Sequence, residues 1–175
     1  MFSNPRSNIE QFGLSDGMIV ADLGAGSGFY AMEAAKAVAP MGKVYAVDIQ
    51  KDLLERLKNE TRRNHIHNIE IISGDLEKLG GTKIREASVD RVIAANVFFM
   101  IEDKKSFVNE IKRILKQKGT ALLVDWAASF SQMGPHPDNV VYKDKAIKLF
   151  IDAGFKVEKE ISAGSHHYGI IFRKV

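Results

Sequence analysis

Short apolar runs alternate with amphipathic helical patterns along most of the chain, and that alternation fixes the class of fold. Residues 18–23 (MIVADL), 42–47 (GKVYAV), 69–72, 90–95 (DRVIAA) and 120–125 (TALLVD) read as strands. Their near-continuous apolar character is that of parallel strands covered on both faces. Between them, residues 29–39 form an Ala-rich helix that stops at Pro40, and residues 51–63 put Leu53, Leu54 and Leu57 on one face. Asp103 is a suitable N-cap for a helix that buries Phe107, Ile111, Ile114 and Leu115 and is ended by Gly119. A last helix over 142–153 buries Ala146, Leu149, Phe150 and Ala153, with Gly154 as its C-cap. Residues 155–161 and 168–173 close the chain as a strand pair joined through SAGSHH, antiparallel because no helix separates them. The expected architecture is α/β, a mostly parallel sheet with helices on both faces.

The 175 residues, 45% apolar and 27% charged, fit a single domain over 1–175 with its own core. Residues 1–16 are an N-terminal segment, and no separate substrate domain is expected. Cysteine is absent, which excludes disulfides, thiolate metal sites and a cysteine nucleophile. MFSNPRSNIEQFG lacks the apolar stretch of a secretory signal, and no apolar run is long enough to span a bilayer. The expectation is a soluble cytoplasmic protein without membrane insertion.

The most informative residues lie where strands end. Asp22-Leu23-Gly24-Ala25-Gly26-Ser27-Gly28 joins the first strand to its helix, where a nucleotide-type ligand binds in such sheets. Its spacing is GxGxG, not the GxGxxG of dinucleotide folds. A carboxylate two residues before the first glycine suits the ammonium of an amino-acid ligand better than a pyrophosphate. Asp48 closes the second strand, 20 residues after Gly28, where an acid can accept both hydroxyls of an adenosine ribose. Asp75 follows the third strand in SGDL, placed to accept an adenine amine, and Asn96 follows the fourth.

Together these residues resemble the class I S-adenosylmethionine-dependent methyltransferases, from about Gly17 to the C-terminus. VADLGAGSGFY, SGDLEKL and IKLFIDAGFKVEK, with Asn4-Pro5-Arg6 ahead of the first strand, are similar to the small ubiquinone/menaquinone-biosynthesis type. The resemblance implies a Rossmann-like sheet of seven strands, the last antiparallel, and S-adenosylmethionine as cofactor. It implies that Asp22, Gly24, Ala25, Gly26 and Gly28 hold the methionine part. Asp48 and Ile49 would serve the ribose side, Asp75 and Leu76 the adenine, and Asn96 the region near the methyl or the acceptor.

The acceptor implied is a small or lipid-like molecule. The alternatives are RNA or protein methylation, an NAD-dependent oxidoreductase, and a catalytically silent cofactor-binding module. Asn96 is followed by Val97-Phe98-Phe99 and not by a PPY-type run, which argues against amino-group methylation of adenine or glutamine. Without cysteine, cytosine C5 methylation through a thiol adduct is excluded. Only Asp125 and Asn96 are available for a catechol-type metal site, so no metal is expected. Candidates for a base are His136 in the long 127–139 stretch, and His166 and His167 before the last strand. Phe98, Phe99 and Met100 are core residues or an apolar acceptor wall.

The net charge of +3 and pI of about 9.0 invite a nucleic-acid reading. Topology argues otherwise. Arg62, Arg63, Lys112, Arg113, Lys116 and Lys118 fall at helix ends on the edge away from the glycine turn, and the 127–139 stretch has no Lys or Arg. No nucleic-acid partner is therefore expected. With so little chain outside the sheet, the N-terminal segment folds over the cofactor, or a partner or second subunit (a homo-oligomer) completes the site.

Overall fold

Every apolar run becomes a strand of one seven-stranded sheet in the order β3-β2-β1-β4-β5-β7-β6. The computed structural model describes residues 3–131 and 133–175. Strands β1 (Ile19–Leu23), β2 (Lys43–Asp48), β3 (Ile69–Ser73), β4 (Val89–Ala95) and β5 (Leu115–Trp126) run parallel. Strand β7 (His167–Lys174) inserts antiparallel between β5 and β6 (Phe155–Ile161). The chain order reverses at β1 and β4, so the crevice at their C-terminal ends is the place where such sheets bind ligands.

Alternation along the strands builds two cores. On one face Val92, Ala94, Leu123, Ile170 and Phe172 pack under α4 (Lys104–Ile114) and α5 (Lys143–Asp152), where Phe107, Ile111 and Phe150 enter. On the other, Val20, Val44, Ile93 and Val124 pack under α1 (Pro5–Phe12), α2 (Phe29–Val38) and α3 (Lys51–Arg63). Tyr168 shares the first face with Ile170 and Phe172, as alternation predicts, and its hydroxyl donates to the Val141 carbonyl at 2.9 Å.

Two local readings change. The N-terminal segment contains a helix, α1, with Asn4 accepting from the Ser7 amide, Pro5 in the first turn and Gly13 left-handed at its end. Asn-Pro followed by a glycine eight residues on is a start and stop signal legible in the sequence. Helix α4 begins at its Asp103 cap as expected but ends at Ile114, not at Gly119. Leu115 is already extended and pairs with Val89, while the next pairing joins Arg91 to Thr120. Residues 116–119 bulge between the two pairings. Gly119 serves that tight turn, since a Cβ there would lie 2.9 Å from both Leu115 Cδ2 and the Lys116 carbonyl oxygen. Lys116 and Lys118 therefore belong to the bulge, where Lys116 pairs with Asp90 at 2.8 Å, and not to a helix end.

Candidate functional site

The glycine turn leaves β1 by a sharp reversal anchored on the neighbouring strand: the Gly24 and Ala25 amides both donate to the Val47 carbonyl, at 2.8 and 3.0 Å. Gly24 and Gly28 are required by crowding. A Cβ at Gly24 would meet the Val97 side chain at 2.5 Å, and one at Gly28 would meet buried Leu57 at 2.1 Å. Gly26 differs: its φ is +54° and nothing lies within 4 Å of where its Cβ would be. That bare stretch of backbone faces open space, as close approach of a ligand requires.

Three strand ends deliver carboxylates to this turn. Asp48 accepts the Gly26 amide at 2.8 Å and the Gln50 amide at 2.9 Å, so it also braces the turn. Each of its oxygens keeps a second lone pair for further donors. Asp22 is 2% exposed, and its Oδ2 has no hydrogen-bond partner. Burial, opposed by the Ala31 amide and reinforced by the charge on Asp48, raises its pKa to about 7. Asp75 is held by its own loop. Its Oδ1 accepts the Glu77 amide at 3.0 Å and Lys78 stands 3.2 Å from Oδ2, which keeps its pKa below the usual carboxylate value. Asn96 has left-handed backbone (φ 55°), its amide donates to Val124, and its Oδ1 is buried without a partner.

These groups converge on one cavity of about 640 Å³, lined by Asp22, Gly24, Ala25, Gly26, Asp48, Ile49, Asp75, Leu76 and Asn96. Of the cofactor residues read from the sequence, Gly28 alone stands behind the wall, packed against Leu57. The lining also holds residues that sequence reasoning passed over: Ser3, Pro5, Phe29, Tyr30, Leu53 and Ile101. Tyr30 is tied to the N-terminal segment. Asn8, itself buried, donates to the Tyr30 hydroxyl at 2.7 Å and to Ser3 Oγ at 2.9 Å, and the two hydroxyls are 2.9 Å apart. The signal was a tyrosine in the first turn after the glycines, facing a segment with a helix start. Met100 lines the cavity, whereas Phe98 is fully buried in the core.

None of the three histidines lines the cavity. His136 is exposed, 3.3 Å from the Asp138 carboxylate, at the start of a short 3₁₀ turn (Pro137–Asn139). His166 meets the edge of Phe130 at 4.5 Å. His167 is buried, its ring tilted against Trp126 with centroids 4.4 Å apart, and neither ring nitrogen has a partner. Burial and the neighbouring His166 lower its pKa, which favours the neutral ring. Asp125, next to Trp126, accepts the Trp126 and Phe99 amides at 2.8 and 2.9 Å and thereby fixes the turn after β4.

A family model described as a methyltransferase domain matches residues 14–167. The chain belongs to that family. This methyltransferase domain is 28% identical over 127 residues to the arsenite methyltransferase of Halobacterium salinarum, covering 73% of this chain and 31% of that protein. It is 25% identical over 142 residues to the demethylmenaquinone methyltransferase of Lactococcus lactis, covering 81% and 52%. The chain thus spans between 31% and 52% of the length of these curated relatives. Among solved structures, a SAM dependent methyltransferase from Aquifex aeolicus matches with a TM-score of 0.90 at 27% identity, over 99% of this chain and 91% of that one. Family and fold are those of the class I S-adenosylmethionine-dependent methyltransferases, resembling the ubiquinone type, and the cofactor is S-adenosylmethionine. The cavity fits that cofactor. It offers an orphan buried carboxylate oxygen for an ammonium, a bare glycine backbone, and a second acid at a strand end for vicinal hydroxyls.

Proposed function

We propose that this methyltransferase transfers the methyl group of S-adenosylmethionine to a small-molecule or lipid-like acceptor. The observation that carries the acceptor class is the lining itself. Among the described residues, no lysine or arginine lines the cavity; beside its acids and the polar Ser3, Ser27, Gln50 and Asn96, the lining includes an apolar set, Pro5, Phe29, Tyr30, Val97, Met100 and Ile101. A phosphate-bearing polymer is held by cations, and an apolar wall suits a small organic acceptor.

In this reading Asp22 and the Gly24–Gly28 turn hold the amino-acid end of the cofactor. Asp48 and Ile49 take the ribose, Asp75 and Leu76 the adenine, and Asn96 stands toward the acceptor. When bound, S-adenosylmethionine supplies an already activated sulfonium methyl, so the protein's task is alignment and exclusion of water. Pro5, Phe29 and Met100 exclude water at the mouth. Asn8 and Ser3 orient the Tyr30 hydroxyl and hold α1 down on the cavity. His166 and His167 start β7 at the same edge of the sheet as Asn96. They remain our candidates for proton handling with an acceptor that must lose one, and His136 is the outlying third.

The test is incubation of the protein and labelled S-adenosylmethionine with a cell extract, followed by fractionation. Label in the low-molecular-weight or lipid fraction is the expected result. Label confined to RNA or to protein would replace this acceptor class with a macromolecular one.

A further inference from the structure

Glu110 is a carboxylate on the apolar face of α4, fully buried and outside the cavity lining. Burial of an acid is costly unless its lone pairs are met, and here they are. The carboxylate accepts the Gly80 amide at 2.7 Å, the Thr82 amide at 3.2 Å and the Thr82 hydroxyl at 2.5 Å. Arg113, one turn on, takes both oxygens at 2.7 and 2.8 Å and reaches the Ile84 carbonyl at 2.7 Å. Burial pushes the acid up, but the Arg113 and Thr82 hydrogen bonds outweigh it and leave the pKa at about 2.

Apart from Arg113, all these donors belong to one loop. Gly80 and Thr82 flank Gly81, whose carbonyl accepts the Asp75 amide at 3.1 Å. The contact is too close for any side chain, since a Cβ on Gly81 would lie 2.1 Å from the Asp75 carbonyl oxygen. A second tether runs to the same helix, because Glu77 accepts the amide of its cap, Asp103, at 2.6 Å. The backbone of Asp75 and Leu76 is thus set by a helix on the far side of the loop.

We propose that Glu110, with Arg113, is the positioning residue for adenine recognition: it clamps Gly80 and Thr82 so that Gly81 fixes Asp75 against the base. The inference rests on the reading of Asp75 and Leu76 as the adenine site. A carboxylate that merely completed the core would, when altered, lower stability and weaken all ligands alike. A positioning carboxylate affects recognition of the base selectively. Glu110→Gln turns one acceptor oxygen into a donor that faces donors, and so releases the loop without removing volume.

The experiment is calorimetric titration of wild type and Glu110→Gln with S-adenosylhomocysteine and with S-inosylhomocysteine, in which a carbonyl replaces the exocyclic amine. Amide hydrogen exchange of the cofactor-free proteins accompanies it. Wild type should prefer the adenosyl ligand. In Glu110→Gln that preference falls about tenfold, the inosyl affinity holds, and the Gly80 and Thr82 amides lose protection. Thr82→Val, which keeps the ion pair, should shift the preference the same way by less, and it decides the matter should Glu110→Gln not fold. Unchanged preference in a folded variant, or equal weakening of both ligands, overturns the positioning role. If wild type itself fails to distinguish the two ligands, the adenine reading of Asp75 falls, and this inference with it.

Discussion

In the half of the sheet made by β1, β2 and β3, the carboxylates that line the cavity, Asp22, Asp48 and Asp75, sit at or close to strand ends. In the half made by β5, β7 and β6, no such acid cluster exists among the described residues. The aromatic and imidazole groups there, Trp126, Phe130, His166 and His167, pack on one another. The cofactor half is preorganised, with Asp48 bracing Gly26 and Gly24 fitted against Val97. The cover over the cavity is assembled from parts distant in sequence: Ser3 and Asn8 meet Tyr30, and Gln11 in α1 bonds the Ser162 backbone across the hairpin. The groups around the glycine turn are thus joined by short local spacings, and the cover over them by long-range contacts.

The contrast can be broken most sharply at Asp48. Asp48→Ala removes a buried acceptor and the brace on Gly26, and should weaken S-adenosylhomocysteine binding by about a hundredfold while the fold survives, read by calorimetry. Next comes Gly28→Ala. A methyl forced onto Leu57 in left-handed backbone should cost about 2 kcal/mol of stability in denaturant unfolding.

Asp22 gives a pH signature of similar size. Its folded pKa of about 7 lies above the ordinary aspartate value of 3.8, so its contribution to the stability of the cofactor-free protein is full below about pH 4 and is lost as pH rises through 7. An ammonium ligand selects the ionised form. Affinity should therefore fall about tenfold from pH 8 to pH 6, and Asp22→Asn should flatten the profile. The smallest effect belongs to the cover that the N-terminal segment makes over the cavity. Asn8→Ala unpins α1 from Tyr30 and should cost about 1 kcal/mol of stability with little change in cofactor affinity, measured by thermal melts and titration. A large loss of cofactor affinity in Asn8→Ala would erase the distinction between the locally braced turn and its long-range cover.

The strands, their covered faces and the antiparallel closure were legible because burial on both sides writes itself into continuous apolar runs. The acids that line the cavity were legible for a related reason: Asp22, Asp48 and Asp75 interrupt or directly follow those apolar runs at the strand ends. The end of α4 was not, because Lys116–Gly119 has the composition of a helix end while the sheet register pulls Leu115 into β5. Glu110 was hidden by its partners. An acid at helical spacing between Phe107 and Ile114 looks like a flaw in an apolar face until Thr82 and Arg113 are seen to satisfy it. Part of the basic charge is likewise internal, since Arg113 is spent on that pair and Lys116 on Asp90. Tyr30 and Asn8 matter only through each other, and no local pattern links positions 22 residues apart.

The most direct test of the central claim, that the cavity at the ends of β1, β2 and β3 holds S-adenosylmethionine, is one calorimetric titration series with S-adenosylhomocysteine. Micromolar-range, single-site binding that Asp48→Ala weakens strongly is the predicted result. No heat of binding at millimolar ligand, or binding that Asp48→Ala leaves untouched, would contradict it.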